Sequence, residues 1–147
     1  MLIKKSLFLL VLPFSVFAQD QNPTIIVYST QYYPVSRTDL ASQIYYLDQI
    51  DQWEDKVSRQ LSTNPAVATQ QAEQFFQSAE WKLSENTLKQ SYQGILNGWQ
   101  NGIRKVPAIL FRYPGKEDTV IYGEVNIAKA KQQWQRWMEN GGHHGSK

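Results

Sequence analysis

Two pairs of short strand-like segments, with a long helical stretch between them, constrain the fold of this chain most. Thr24–Ser29 and residues 44–47 are rich in β-branched and aromatic side chains and have the length of buried strands. Residues 106–111 and Thr119–Tyr122 flank the turn signal Pro114-Gly115, so they predict a β-hairpin. The sheet should therefore combine an early pair of strands with a late hairpin.

Helical periodicity fills the interval between the two pairs of strands. A short helical turn is expected over residues 38–42. Asp48 is placed to cap a helix that ends near Leu61, and Asn64 followed by Pro65 favours a new helix start. The inward face predicted for the first helix is Ile50, Trp53, Val57 and Leu61. For the second helix it is Ala68, Ala72, Phe75, Phe76 and Ala79.

A third helix is expected over residues 84–102, and it contains three glycines. Gly94, Gly98 and Gly102 are four residues apart, so they form a smooth stripe that another backbone can approach closely. Packing on the sheet is the favoured interpretation, with a docking groove for a partner as the alternative, and Gly102 suits a helix C-terminus. The apolar face predicted for this helix is Leu88, Tyr92, Ile95, Trp99 and Ile103. A last helix is expected after Asn126, which caps it, and its predicted apolar face is Ile127, Ala130, Trp134, Trp137 and Met138.

The N-terminus has the pattern of a cleavable secretory signal. Lys4 and Lys5 precede an apolar run, and Val16 and Ala18 occupy the positions that a signal peptidase reads. A membrane anchor is the less favoured alternative, since the run is about a dozen residues and a spanning helix needs about twenty. We expect a signal peptide over residues 1–18, one domain over 19–140, a disordered tail over 141–147, and a periplasmic protein without a membrane span after processing.

Charge and composition exclude several kinds of chemistry. Residues 1–18 hold two of the 15 Lys and Arg and none of the 13 Asp and Glu, so the processed chain has no net formal charge and nucleic-acid binding is not expected. Cysteine is absent, which excludes thiol chemistry. His143 and His144, the only histidines, lie in the glycine-rich tail, where weak metal binding is a minor alternative. No cofactor, resident metal or catalytic residue is expected.

The order of the elements is that of a known α/β fold. The predicted order is strand, short helix, strand, helices, hairpin and helix. It forms a βαβ half followed by a ββα half, with extra helices inserted after the second strand. This connectivity predicts a thioredoxin-like fold, in which a cis proline opens the third strand. Pro107 stands at that position.

Part of the chain resembles a family of thioredoxin-like proteins encoded on integrating conjugative elements. The most specific match is the string Gly-Ile-Arg-Lys-Val-Pro-Ala at residues 102–108, preceded by Tyr92-Gln93-Gly94 and Gly98-Trp99. Shorter matches are Thr30 with Pro34-Val35, Leu47-Asp48, Leu61 with Asn64-Pro65, and Val120-Ile121-Tyr122-Gly123; Asn126 stands where the family tends to have Asp. The resemblance implies a periplasmic role in conjugative DNA transfer, with envelope proteins of the transfer apparatus as partners.

A thioredoxin-type sheet would bring the loop after the first strand beside the proline of the third. In redox members this loop holds paired cysteines, whereas here it holds Tyr32, Tyr33 and Pro34. A cis bond would turn the Val106 backbone outward, where it could pair with an extended peptide, and exposed tyrosines would anchor the partner. Packing of both tyrosines on the sheet edge is the alternative. The predicted binding residues are Thr30, Tyr32, Tyr33, Pro34, Val35, Val106 and Pro107.

These features favour a non-catalytic binding or assembly protein that supports a conjugative, type IV secretion-like apparatus. An exported general chaperone for extended polypeptides is the main alternative. A carboxylate-dependent hydrolase using Asp39, Asp48 or Asp51 is a minor one, since single acidic residues near helix starts are usually caps.

The exported protein is predicted to begin at Gln19, because cleavage is expected after Ala18. Intact-mass analysis of a periplasmic extract measures this directly. A chain that retains Met1, or one found in the cytoplasm, would contradict the prediction.

Overall fold

The strand β1, Thr24–Ser29, lies at the centre of a four-stranded sheet in the computed structural model, which describes residues 22–141. It pairs in parallel with β2, Gln43–Tyr46, and antiparallel with β3, Ala108–Arg112. Strand β4, Thr119–Tyr122, pairs antiparallel with β3, so the order is β2-β1-β3-β4. The predicted early pair and late hairpin are confirmed, although β3 begins after Pro107 and β2 includes Gln43.

Four helices and a short 3-10 helix, Thr38–Leu40, complete this mixed α/β architecture. The helices are α1, Gln49–Gln60; α2, Pro65–Phe76; α3, Ala79–Gln100; and α4, Ile127–Glu139. The predicted signal peptide and residues 142–147 of the predicted tail lie outside the described residues. Within residues 22–141, no helix combines the length and apolar character needed to cross a membrane.

The two faces of the sheet are covered by different helices. Ile25 and Val27 point to the α4 side, where Phe111 stacks on Trp134 with ring centroids 5.5 Å apart. Helix α4 presents its predicted apolar face, with Ile127, Ala130 and Trp134 buried and Trp137 and Met138 packed beside them. On the opposite face, Ile26, Tyr28, Ala108 and Leu110 form a second core.

Helix α3 approaches the second core through two of its glycines. A Cβ atom at Gly94 would lie 2.8 Å from Cδ1 and 2.9 Å from Cβ of Tyr45, whereas a Cβ at Gly98 would lie 3.4 Å from the Tyr28 ring. The expected packing of the glycine stripe on the sheet is therefore confirmed for these two positions. Gly102 ends the helix with φ of 67°, and the Ile103 amide donates to the Gly98 carbonyl at 2.9 Å, as in a Schellman cap.

Tyr28 brings a hydroxyl into this core, and α3 supplies its hydrogen-bond partners. The hydroxyl donates to Oδ1 of Asn97, and the Asn101 side-chain amide donates to it at 3.0 Å. Asn101 in turn accepts at 2.9 Å from Arg112, which forms an ion pair with Asp118. Burial raises the pKa of Tyr28 above its ordinary value, so the phenol is neutral and the network holds α3 against β1 and β3.

The inward faces predicted for the central helices were partly wrong. Ile50, Trp53 and Val57 of α1, and Leu61 directly after it, are half-buried as predicted, but Phe76 and Ala79 are exposed. Residues 77 and 78 separate α2 from α3, because Ser78 accepts a hydrogen bond from the Trp81 amide and caps α3 five residues earlier than predicted. The rings of Trp53, Phe75 and Trp81 meet between the three helices, with centroids 5.7 to 6.3 Å apart.

The side of α3 that was predicted to face the core was also wrong. Ser91, Gly94 and Gly98 are the buried residues of the helix, whereas Tyr92, Ile95 and Trp99 are exposed. Leu88 and Ile103 are half-buried. The close contact of the glycines with Tyr28 and Tyr45 sets the rotation of the helix and leaves the large side chains on its flank.

Gly94→Ala should destabilise the protein even though it improves helix propensity. The added methyl would meet the near end of the Tyr45 side chain, and overpacking of this kind costs about 1–3 kcal/mol, against about 1 kcal/mol gained in helix propensity. Urea unfolding should show a net loss of about 1 kcal/mol, the middle of the range of about 0–2 kcal/mol that these two terms leave. The matched control, Gly98→Ala, meets only an ordinary contact and should be neutral or stabilising; equal destabilisation by both changes would contradict this account.

Candidate functional site

The predicted binding residues lie at one end of the sheet. Tyr28 of β1 pairs with Ala108 of β3, so the loop that follows β1 and the residues that precede β3 continue from the same end. Ser29 pairs with Tyr46, which brings the end of β2 to the same place, and Ala108 pairs with Tyr122 at the end of β4. The loop over residues 30–35 therefore leaves β1 at the end of the sheet where β2 and β4 also finish and β3 begins.

Three hydrogen bonds hold the first part of this loop. The Ser29 hydroxyl donates to the Tyr33 carbonyl at 2.6 Å, and the Tyr33 amide donates to the Thr30 carbonyl at 3.0 Å. The Gln31 amide donates to the Asp48 carboxylate, also at 3.0 Å. The loop is thus fixed to the strand it leaves and to Asp48, two residues after β2.

The second part of the loop is tied to the start of α4. Val35 is half-buried and packs against the core on the α4 side. The Ser36 amide donates to the Val125 carbonyl at 3.0 Å, and the Ile127 amide donates to the Ser36 carbonyl at 3.2 Å. Residues 30–36 therefore have anchors at both ends.

The loop presents aromatic surface between these anchors. Tyr32 is 77% exposed and Tyr33 is 46% exposed, and Pro34 is exposed beside them. A tyrosine ring carries apolar area together with a hydroxyl that can donate or accept a hydrogen bond. These three residues form the accessible part of the predicted site.

The peptide bond between Val106 and Pro107 is cis, as predicted. The Val106 side chain is half-buried against the core on the α3 side, and Pro107 is buried, with its carbonyl accepting from the Gly123 amide at 2.9 Å. These two residues shape the end of the sheet, while their side chains offer little surface to a partner.

Two neighbouring features were missed by the sequence interpretation. Asp48 stands at the N-cap position of α1 but makes no capping hydrogen bond with its side chain, so the predicted capping role is wrong. Its carboxylate holds Gln31 instead. Lys105 places its ammonium nitrogen 5.2 Å from the centre of the Tyr122 ring, a cation–π contact at this end of the sheet. The position of Asp48 directly after the predicted second strand was the available signal, because β2 is parallel to β1.

The polar groups near the loop are its possible reactive or metal-binding groups. Within residues 22–141, Thr30 Oγ1 and Asp48 Oδ1 are buried polar atoms without a hydrogen-bond partner. Asp39 is exposed, and its hydrogen bond with Arg37 lowers the pKa of that carboxyl. The described residues contain no group of three His, Asp or Glu side chains placed to hold a metal ion.

Two pockets occur away from this loop. One of about 300 Å³ lies among α1, α2 and the start of α3, where Gln60, Gln71 and Phe75 contribute to its wall. The other, of about 270 Å³, lies between β2 and α3 and includes Tyr45 and the buried Ser91. The Ser91 hydroxyl there donates to the Gln49 side chain at 2.8 Å, which links α3 to the first residue of α1.

Comparison with known proteins places the chain in one family. Residues 22–140 match the model of the family described as "Protein of unknown function (DUF1525)". A search of curated proteins found no match, and a search of solved structures found none either. The matched range includes every strand and helix described above.

Asp48→Ala should loosen the loop over residues 30–35, here called the tyrosine loop, without unfolding the protein. Loss of the acceptor for the Gln31 amide should cost about 1 kcal/mol and speed hydrogen exchange at Gln31, which NMR can follow residue by residue. Asp48→Asn retains an acceptor oxygen and should exchange at nearly the rate of the unaltered protein. Unchanged exchange in the alanine variant would show that the carboxylate does not anchor the loop.

Proposed function

The chain belongs to the DUF1525 family, and we propose that it is a non-catalytic periplasmic binding protein that supports the transfer apparatus of an integrating conjugative element. Its partners are other envelope proteins of that type IV secretion-like apparatus. It binds them through the loop over residues 30–35, shaped by Val106 and Pro107. Nucleic acid is not a ligand in this proposal, and no cofactor takes part.

The arrangement of the sheet supports a thioredoxin-like fold. One parallel pair, β1 with β2, is joined to the β3–β4 hairpin in the order β2-β1-β3-β4, and a proline with a cis bond precedes β3. The connection from β1 to β2 contains only the 3-10 helix Thr38–Leu40, while α1 to α3 follow β2. The loop after β1 takes the place where redox members carry cysteines, and tyrosines give it a binding role instead.

Exposure of Tyr32 and Tyr33 on an anchored loop is the observation that carries the proposal. Large exposed aromatic side chains are frequent energetic centres of protein interfaces. Ordering a mobile loop on binding costs free energy, and a loop already held by Ser29, Asp48 and the Val125 carbonyl avoids most of that cost. The arrangement therefore suits recognition of a partner better than it suits chemistry.

The periplasmic part of the proposal is supported by the N-terminal sequence. Lys4 and Lys5, the short apolar run and Ala18 form the signal pattern, and an envelope location would bring the protein to the transfer apparatus. The absence of cysteine fits a chain whose role after export does not involve thiol exchange.

The double variant Tyr32→Ala/Tyr33→Ala should lower transfer of the element from donor cells by at least about 10-fold, since loss of interface aromatics commonly costs more than 1 kcal/mol each. It should also reduce recovery of envelope proteins of the apparatus in pull-downs from donor cells. The thermal unfolding midpoint should change little, because Tyr32 is largely solvated and Tyr33 is partly so.

Leu83→Ala is the control for this experiment, because Leu83 is exposed to nearly the same extent as Tyr32 but lies near the start of α3. It should leave transfer and partner recovery unchanged. If the double variant remains folded and both readouts survive, the loop is not the binding surface. Recovery of many unrelated unfolded polypeptides, with no enrichment of envelope components, would favour the general chaperone instead.

A further inference from the structure

The C-terminal half of α3 carries an apolar patch that nothing in the described chain covers. Trp99 is 79% exposed, Leu96 57% and Tyr92 56%, and Ile95 is exposed beside them. These four residues, which we call the α3 patch, follow the spacing i, i+3, i+4 and i+7 and so form one continuous stripe. The stripe lies on the flank of the helix, beside the buried glycine face.

The α3 patch is held in a fixed orientation. Gly94 and Gly98 bring the helix against Tyr45 and Tyr28, and Asn97 and Asn101 bond the Tyr28 hydroxyl. Turning the patch inward would break these hydrogen bonds and force Cβ-bearing residues against the sheet. The exposed side chains are therefore presented by a rigid element.

We propose that the α3 patch is the interface of a two-fold homodimer, in which the α3 helices of two copies pack antiparallel. Ile95 and Leu96 lie nearest the axis, and Tyr92 of each copy faces Trp99 of the other. A two-fold axis pairs the same surface with itself, and a stripe with helical spacing is suited to that arrangement.

The size of the patch favours a second copy. The four exposed fractions correspond to about 500 Å² of mostly apolar surface on each chain, which is at the upper end of what monomers expose. A standard stable interface buries about 800 Å² on each partner. The patch thus supplies more than half of that area before the flanking polar residues are included.

The charge pattern also favours a second copy and sets the direction of the helices. No charged residue occurs between Lys89 and Arg104, a composition that resembles the apolar centre of homodimer interfaces. Arg104 and Lys105 follow the end of α3. A parallel pair would bring these cations together with those of the other copy, whereas an antiparallel pair separates them and opposes the two helix dipoles favourably.

Analytical ultracentrifugation of the protein purified from expression of the full chain tests the proposal. The unaltered protein should dimerise in the micromolar range. Leu96→Glu should weaken dimerisation by at least about 30-fold, because it places two carboxylates near the axis in place of a contact at the centre of the interface. Circular dichroism should show the same helix content, since Leu96 is an exposed side chain.

Leu83→Glu is the matched control, because it introduces the same charge at an exposed leucine on a different face of the same helix. It should leave the dimer intact. An equal mixture of Leu96→Glu and Leu96→Lys chains should recover dimerisation, because opposite charges then meet at the axis. A monomer at every concentration up to the millimolar range, or equal weakening by both glutamate variants, would overturn the proposal.

Discussion

The fold depends on covering β1 from both sides. Helix α4 covers Ile25 and Val27 on one face of the sheet. On the opposite face lies Tyr28, whose ring is buried and whose hydroxyl needs hydrogen-bond partners. Helix α3 meets both requirements, because Gly98 lets it approach the ring while Asn97 and Asn101 bond the oxygen. A buried hydroxyl without a partner costs about 1–3 kcal/mol, so this pairing sets both the distance and the rotation of α3.

The rotation of α3 explains why its exposed surface could not be predicted from hydrophobicity. The spacing typical of a buried stripe is shown by Leu88, Tyr92, Ile95 and Trp99, and the glycines predict a groove beside that stripe. In the fold the groove faces the core, because Tyr28 and Tyr45 project far enough from the sheet to require it. Which side of α3 faces the core therefore depends on side chains of β1 and β2. The residue pattern within α3 alone does not contain that information.

Local signals accounted for most of the other elements. Asn64 with Pro65 starts α2 and Asn126 starts α4, each through its own side chain, so short-range chemistry was sufficient there. The tyrosine loop and its neighbourhood followed from the order of the strands. The role of Asp48 did not, because a carboxylate at a helix start can either cap the helix or hold a neighbouring loop, and the outcome depends on where the parallel pairing of β1 and β2 places Gln31.

The proposed dimer constrains how the tyrosine loops would be used. Asp48 holds the loop, and the neighbouring Gln49 accepts a hydrogen bond from Ser91, so each loop lies near the middle of its own α3 helix. An antiparallel pair centred between Ile95 and Leu96 places the two Ser91 residues about 14 Å apart along the helix axis, at 1.5 Å per residue. The two loops would then lie on opposite sides of the two-fold axis. A partner that repeats its binding segment would gain avidity from engaging both loops together.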